Sequence, residues 1–201
     1  MPANRYTLED GTLVPGCTTI CGQIAKGDAL IQWAWKLGKE GKDWREERDS
    51  AGDRGTDVHD MIMNFWKGEE VVMSGKIQVR CFKQFLKWHE GKKIEPVLVE
   101  TPLVSEMRFG GQPDLLAKID GILTLLDIKT AKAIYPETWY QIAGYDLLLE
   151  EHGHDCQAFQ ILRLGQDGSV EDPVRYNLDT EQEIFLNLLD IYYLRRNNES
   201  K

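Results

Sequence analysis

The segment "GGQPDLLAKIDGILTLLDIKT", residues 110–130, constrains the fold of this chain more than any other. It is two apolar runs joined by Asp120-Gly121, the residue pair suited to a two-residue type I′ turn, in which both central positions take positive φ. A hairpin closed there pairs Ile119 with Ile122, Ala117 with Thr124 and Asp114 with Asp127. The two carboxylates are then expected directly cross-strand, with β-carbons roughly 5 Å apart. Like charges so placed repel, and burial strengthens the repulsion. Lys129, two residues beyond Asp127, shares its face by strand alternation. One lysine leaves excess negative charge, and three compensations are open: a protonated aspartate, an intervening basic group, or a hard divalent cation. The bland alternative is a salt bridge between Asp114 and Lys129 at the end of the sheet, with Asp127 in solvent. Leu115, Ala117, Ile119, Ile122, Leu126 and Ile128 read as the face that builds the core.

The first half reads as mainly helical. "KGDALIQWAWKLG" is a short helix with Asp28 as its cap and Gly38 as its stop, and "GTDVHDMIMNFWKG" carries Val58, Ile62, Phe65 and Trp66 at helical spacing up to Gly68. "GKIQVRCFKQFLKWHEG" repeats the pattern with Ile77, Cys81, Phe85 and Trp88. Between the first two lies "GKEGKDWREERDSAGDRG" (38–55), charged and Gly-rich enough to read as a mobile loop. From Pro96, "PVLVETPLV" and the hairpin are β-rich; "PETWYQIAGYDLLLEEHG" is a helix with Pro136 in its first turn. "CQAFQILRLG" and "VEDPVRYNL" follow as strands, and "DTEQEIFLNLLDIYYLRRNN" as a closing helix with a Thr180–Glu183 capping box. This order predicts an α/β architecture: a central mixed β-sheet flanked by α-helices, with a helical N-terminal part.

The bulk numbers narrow the function. At 201 residues and 42% hydrophobic content the chain can bury a sizeable core. Its net charge of -9, from 33 acidic and 24 basic residues, argues against coating nucleic acid by bulk attraction, though not against a local basic groove. Lys36, Lys39, Lys42, Arg45 and Arg48 are a candidate basic edge, offset by Glu46, Glu47 and Asp49. Cys17, Cys21, Cys81 and Cys156 are scattered, without the spacing of a zinc ribbon or a disulfide framework. With no run of roughly 18 apolar residues and no leader-like start, a soluble chain without a membrane partner is expected, placed in the cytoplasm of a bacterium or phage-infected cell.

The "PD" of 113–114 and the "DIK" of 127–129, with "GTDVH" (55–59) upstream and "QIAGY" (141–145) downstream, together resemble the PD-(D/E)XK nuclease superfamily and its RecB-like, phage-type exonuclease branch. The resemblance spans 55–145. It implies a restriction-endonuclease-like core and one nuclease domain over 1–201, with a mainly helical part at 1–95, a catalytic sheet and helix at 96–165, and a closing strand and helix at 166–201.

It further implies an exonuclease dependent on Mg²⁺ or Mn²⁺ that leaves 5′-phosphates, serving recombination, repair or phage DNA processing. Asp114 and Asp127 would be metal ligands, joined by the carbonyl of Ile128 and by His59. Lys129 would position the attacking water and offset phosphate charge. Glu100 is a further acidic candidate, with Glu106 as its competitor. Gln141 and Tyr145, four apart on one helix face, would contact DNA. Arg54 is a candidate phosphate contact whose plainer reading is a solvated charge. Gly55 either admits a close approach or simply starts the helix. No iron-sulfur cluster is expected, because Cys156 stands alone late in the chain. Expected partners are DNA and, as candidates, a second copy of the chain and a recombination or single-strand-binding protein. An endonuclease of the same fold and a non-catalytic nucleic-acid-binding module are the competing readings.

Overall fold

The structure, a computed structural model, describes residues 6–24 and 27–199. Its elements run β1 (Tyr6–Thr7), β2 (Leu13–Val14), α1 (Cys17–Cys21), α2 (Asp28–Lys39), α3 (Trp44–Lys67), α4 (Lys76–His89), β3 (Ile94–Val99), β4 (Leu103–Ser105), β5 (Phe109–Gly111), β6 (Leu115–Ile119), β7 (Ile122–Lys129), α5 (Pro136–Glu151), β8 (Ala158–Leu164), β9 (Val170–Glu171), β10 (Val174–Arg175) and α6 (Asp179–Glu199). The central sheet has the order β10-β8-β7-β6-β3, with β9 also on β8. It is mixed: β7 and β8 pair in parallel through the crossover helix α5, and the other pairs are antiparallel. The chain is thus an α/β fold with a central mixed sheet flanked by helices. No helix among the described residues is long and apolar enough to cross a membrane.

The hairpin turns where the sequence placed it. Asp120 (φ 50) and Gly121 (φ 90) both take positive φ, and the register pairs Ile119 with Ile122, Ala117 with Thr124 and Leu115 with Leu126. Pairing stops one residue short of Asp114, so the two aspartates are not ladder partners. Both faces of the hairpin are covered. Leu115, Ala117, Ile119, Leu126 and Ile128 join Val58, Ile62 and Phe85 of α3 and α4, while Leu116 and Leu125 join a second cluster with Ile142, Leu148 and Phe185 of α5 and α6. Ile122, expected in the core, is 42% exposed because it flanks the turn.

The largest departure lies at 38–55. Helix α3 begins at Trp44, so most of the expected loop is helix. Asp43 caps it by accepting the Arg45 N–H, and Glu46 and Glu47 occupy the first turn, where carboxylates suit the helix dipole. The dense charge is a solvated helix face. Gly55 therefore sits inside a helix rather than starting it, and a β-carbon there would lie 2.9 Å from Thr130 Oγ1, just past β7. Its close approach docks α3 against the end of the strand.

Three smaller corrections follow from local chemistry. Gly27, not Asp28, occupies the N-cap position of α2, and that helix runs one residue past Gly38 to Lys39. Helix α6 begins at Asp179, whose N–H is accepted by Asn177 Oδ1, so Thr180 lies inside the first turn and not at a capping-box position. The run "PVLVETPLV" is broken at Glu100, which takes φ 46, and its second part pairs with β5 in a separate hairpin that sequence periodicity missed. The β1–β2 pair was missed too, being only two residues per strand.

Replacing Gly52, which has open space around it inside α3, with Ala is expected to stabilise the protein by about 1 kcal/mol through helix propensity. Gly55→Val, by forcing α3 off Thr130, is expected to cost about 1–3 kcal/mol. Urea midpoints measure both; equal, near-zero effects would contradict a helix docked through Gly55.

Candidate active site

Two carboxylates meet at the open end of the β6–β7 hairpin. Asp114, just before β6, accepts the Ile128 N–H through Oδ2 at 2.7 Å, and its Oδ1 lies 2.7 Å from His59 Nε2. Asp127 projects from β7 and is 1% exposed. Lys129 Nζ donates to Asp127 Oδ1 at 2.9 Å and lies 2.7 Å from Oδ2, yet without hydrogen-bond alignment, so Oδ2 is buried with a charge contact and no hydrogen bond. The alternative of an Asp114–Lys129 bridge with Asp127 in solvent is thereby excluded: Lys129 pairs with Asp127, and Asp127 is buried.

The charge balance also differs from the expectation of one lysine against two aspartates. His59, on α3, meets Asp114, and its Nδ1 lies 3.3 Å from Glu100 Oε1, again without an aligned hydrogen bond. Lys67, two turns further along α3, reaches Glu100 Oε2 at 2.6 Å. Three cations thus face three carboxylates. Burial disfavours the imidazolium of His59, but the Asp114 and Glu100 carboxylates outweigh it and raise its pKa to about 10. Burial opposes the charge on Asp114 too, and His59 and Lys129 more than offset this, leaving its pKa lowered. Asp127 is pushed up to about 6, first by burial, with Lys129 pulling down and Asp114 pushing further up. Lys129 is desolvated, but Asp127 and Asp114 raise its pKa above the usual lysine value.

The other candidates divide. Glu100 is brought in by the break after β3, where its N–H also donates to the Asp114 carbonyl at 3.0 Å; its contact with His59 holds its carboxyl below the usual range. Glu106 lies exposed in the β4–β5 turn. Gln141 and Tyr145 on α5 are joined to each other at 2.8 Å, and Gln141 also donates to Thr18 Oγ1 at 2.8 Å. Arg54 is half-buried: its Nη1 donates to Ser50 Oγ at 2.5 Å, and its Nε is buried without a hydrogen-bond partner.

A cleft of about 820 Å³ opens beside Lys129, lined in part by Trp33, Arg54, His59, Lys132 and Arg163. Arg163, 3% exposed on β8, is the register partner of Lys129 and is held by Glu171, Ser169 and the Ala131 carbonyl. Sequence reasoning missed it, although an arginine inside the apolar run "AFQILRLG" is the same kind of signal that marked Asp114. The expected basic edge does not assemble: Lys42 pairs with Glu40, Arg48 with Asp49, and Lys39 covers the Trp35 ring. Cys17 and Cys21 are buried on the α5–α6 side of the sheet and Cys81 on the α3–α4 side.

No three His, Cys, Asp or Glu side chains among the described residues stand ready-made as a metal cage. The donor set nonetheless fits a hard divalent cation: two adjoining carboxylates, one bearing a buried oxygen without a hydrogen bond, plus an imidazole nitrogen at the same point.

No family model matches the chain, and no curated protein matches it. Among solved structures it is similar to an alkaline exonuclease (LHK-Exo) from Laribacter hongkongensis, at 15% identity and a TM-score of 0.36, covering 72% of this chain and 85% of that one. LHK-Exo in complex with dAMP is similar at 17% identity and a TM-score of 0.33, covering 73% and 91%. SSO0001 is similar at 10% identity and a TM-score of 0.34, covering 56% and 58%.

One further buried acid, on α5, was not singled out from sequence. Asp146, beside Tyr145, is 3% exposed; Gln182 donates to its Oδ2 at 3.0 Å while Oδ1 is unpartnered. Burial first, then Glu150, raises its pKa from 3.8 to about 7. The folded state therefore binds this proton more tightly than the unfolded chain. Stability from this group is fully present below pH 3.8 and is lost as pH rises through about 7. Between about pH 6 and 8 the loss is about 1 kcal/mol, and Asp146→Asn is expected to abolish that part of the slope in denaturant titrations. A wild-type slope that survives in Asp146→Asn assigns it to another group.

Proposed function

We propose that this chain is a divalent-metal-dependent deoxyribonuclease of the PD-(D/E)XK superfamily, in its RecB-like branch. It acts as an exonuclease that leaves 5′-phosphates in recombination, repair or phage DNA processing. The observation that carries this reading is the contact of Asp114 with His59 and of Asp127 with Lys129, two residues that line a cleft also holding Arg54, Lys132 and Arg163. A hydrolase for a polyanion needs that combination: oxygen donors at the reacting phosphate, and cations along the strand.

Asp114, Asp127, the carbonyl of Ile128 and His59 would hold Mg²⁺ or Mn²⁺. Such an ion supplies Lewis-acid polarisation of the phosphate and makes a nearby water more acidic. Before serving as a ligand, His59 must give up the proton at Nε2 that now faces Asp114. Lys129 keeps its proton at neutral pH, because the aspartates raise its pKa. It therefore donates to water or to a phosphate oxygen and offsets developing charge, rather than accepting a proton. Gln141 and Tyr145, already joined, present an amide and a hydroxyl on the α5 side of the same centre. Arg54 would meet a phosphate from the α3 side.

End-labelled single- and double-stranded DNA, incubated with Mg²⁺, Mn²⁺ or EDTA, tests this reading. Cleavage is expected with either metal and not with EDTA, and Asp127→Ala and Lys129→Ala are each expected to lower it by about 10²–10³-fold or more. Inertness of the wild type with both metals on both substrates overturns the enzyme reading in favour of a binding module. Closed-circular DNA decides the mode of attack: it is expected to survive while linear DNA is degraded, and its cutting assigns an endonuclease.

A further inference from the structure

Helix α4 carries Lys76, Arg80, Lys83 and Lys87 and no carboxylate in its 14 residues, within a chain of net charge -9. The spacing of four, three and four places all four cations on one face, over about 16 Å of helix. All four are exposed, and they line a shallow groove of about 460 Å³ together with Val79 and Gln84. No ion pair within 4.0 Å joins any of the four to a carboxylate among the described residues. Elsewhere in the first half, Lys42, Arg48, Lys67 and Lys93 are paired with carboxylates, and Lys39 and Arg45 stack on tryptophan. This face is also tied to the candidate active site. Arg80 donates to the carbonyl of Gln166 at 3.0 Å, and Gln166 lines the same cleft as Lys129.

We infer that the lysine-arginine face of α4 is a binding surface for the phosphate backbone of nucleic acid, continuous through Gln166 with the cleft that receives the reacting strand. The inference rests on the nuclease reading for its substrate and adds where the remainder of that substrate lies. Duplex DNA presents one phosphate charge per about 1.7 Å of axis, so a row of cations about 16 Å long meets several phosphates without reading bases. An anionic membrane is the other polyanion a lysine-rich helix can meet, but surface binding needs the apolar face of the helix free to insert. Here that face is committed, with Cys81, Phe82, Phe85 and Trp88 all in the core.

The test measures binding of a short DNA duplex in EDTA over a range of salt for the full chain, for Lys76→Ala/Lys83→Ala/Lys87→Ala combined, and for the same three positions changed to Arg. Arg80 is left in place because it bonds Gln166. The alanine variant is expected to lose about 2–3 from the slope of log affinity against log salt, and about a hundredfold in affinity near 0.1 M salt, while the arginine variant keeps both. With metal, KM for long DNA is expected to rise in the alanine variant while kcat on a dinucleotide stays unchanged. Unchanged slope and affinity in the alanine variant overturn the inference. So does a wild type that fails to bind DNA, or one that binds phosphatidylserine vesicles as tightly as DNA with the same loss on substitution. A wild type that binds through these lysines but cleaves nothing with either metal leaves the surface standing and removes the nuclease reading.

Discussion

A carboxylate at 1% exposure within a parallel strand pair organises this molecule around its own compensation. Asp127 lies in β7 with Ile161 of β8 as its register partner, in the best-covered part of the sheet. An isolated charge there costs several kcal/mol, so the group either neutralises or acquires partners. Both occur in part: burial raises its pKa, and Lys129, two residues on along the same strand, supplies a cation on the same face. Asp114 is compensated chiefly by His59, with the Ile128 N–H and a further contribution from Lys129. Each aspartate thus has a cation of its own, and the repulsion between them is divided rather than cancelled at one point.

The same division extends outward through α3. His59 lies between Asp114 and Glu100, and Lys67, eight residues later on the same helix, closes the row at Glu100. Residues eight apart share a helix face, so one docked helix delivers both cations. Its docking depends on Gly55, which lets the helix backbone approach Thr130 at the end of β7. Placement of the imidazole is therefore a packing property of α3 before it is an electrostatic one.

What could be read in the sequence was what local rules determine. The Asp120-Gly121 turn fixed the hairpin register, and 3.6-residue periodicity located α4, α5 and the apolar half of α3. Charge run and glycine content misread the first turns of α3, because a solvated helix face and a loop share a composition; only the Asp43 cap distinguishes them. Asp114, Asp127 and Lys129 stood out because charge interrupts apolar strands. Arg163 carried the same signal but had no motif beside it. His59 and Glu100 were singled out through the resemblance alone, whereas Lys67 and the pairings that join the three were not legible, since they link residues 33 and 41 positions apart whose meeting depends on how α3 crosses β3.

Net charge, finally, describes this molecule poorly because its charges are segregated by element. The first turn of α3 is acidic and the exposed face of α4 is basic, although both helices cover the same side of the sheet. Such separation keeps the chain as a whole anionic, which limits association with arbitrary polyanions, while leaving a directed field near the cleft. Screening restricts that field to about 8–10 Å at physiological salt, so only cations close to the cleft can guide a strand into it. The hydrogen bond from Arg80 to Gln166 places that cation of α4 beside the cleft, whereas Lys42 and Arg48 are paired with neighbouring carboxylates. Location of the free cations, rather than their number, is what would reconcile an acidic chain with the polyanionic substrate proposed for it.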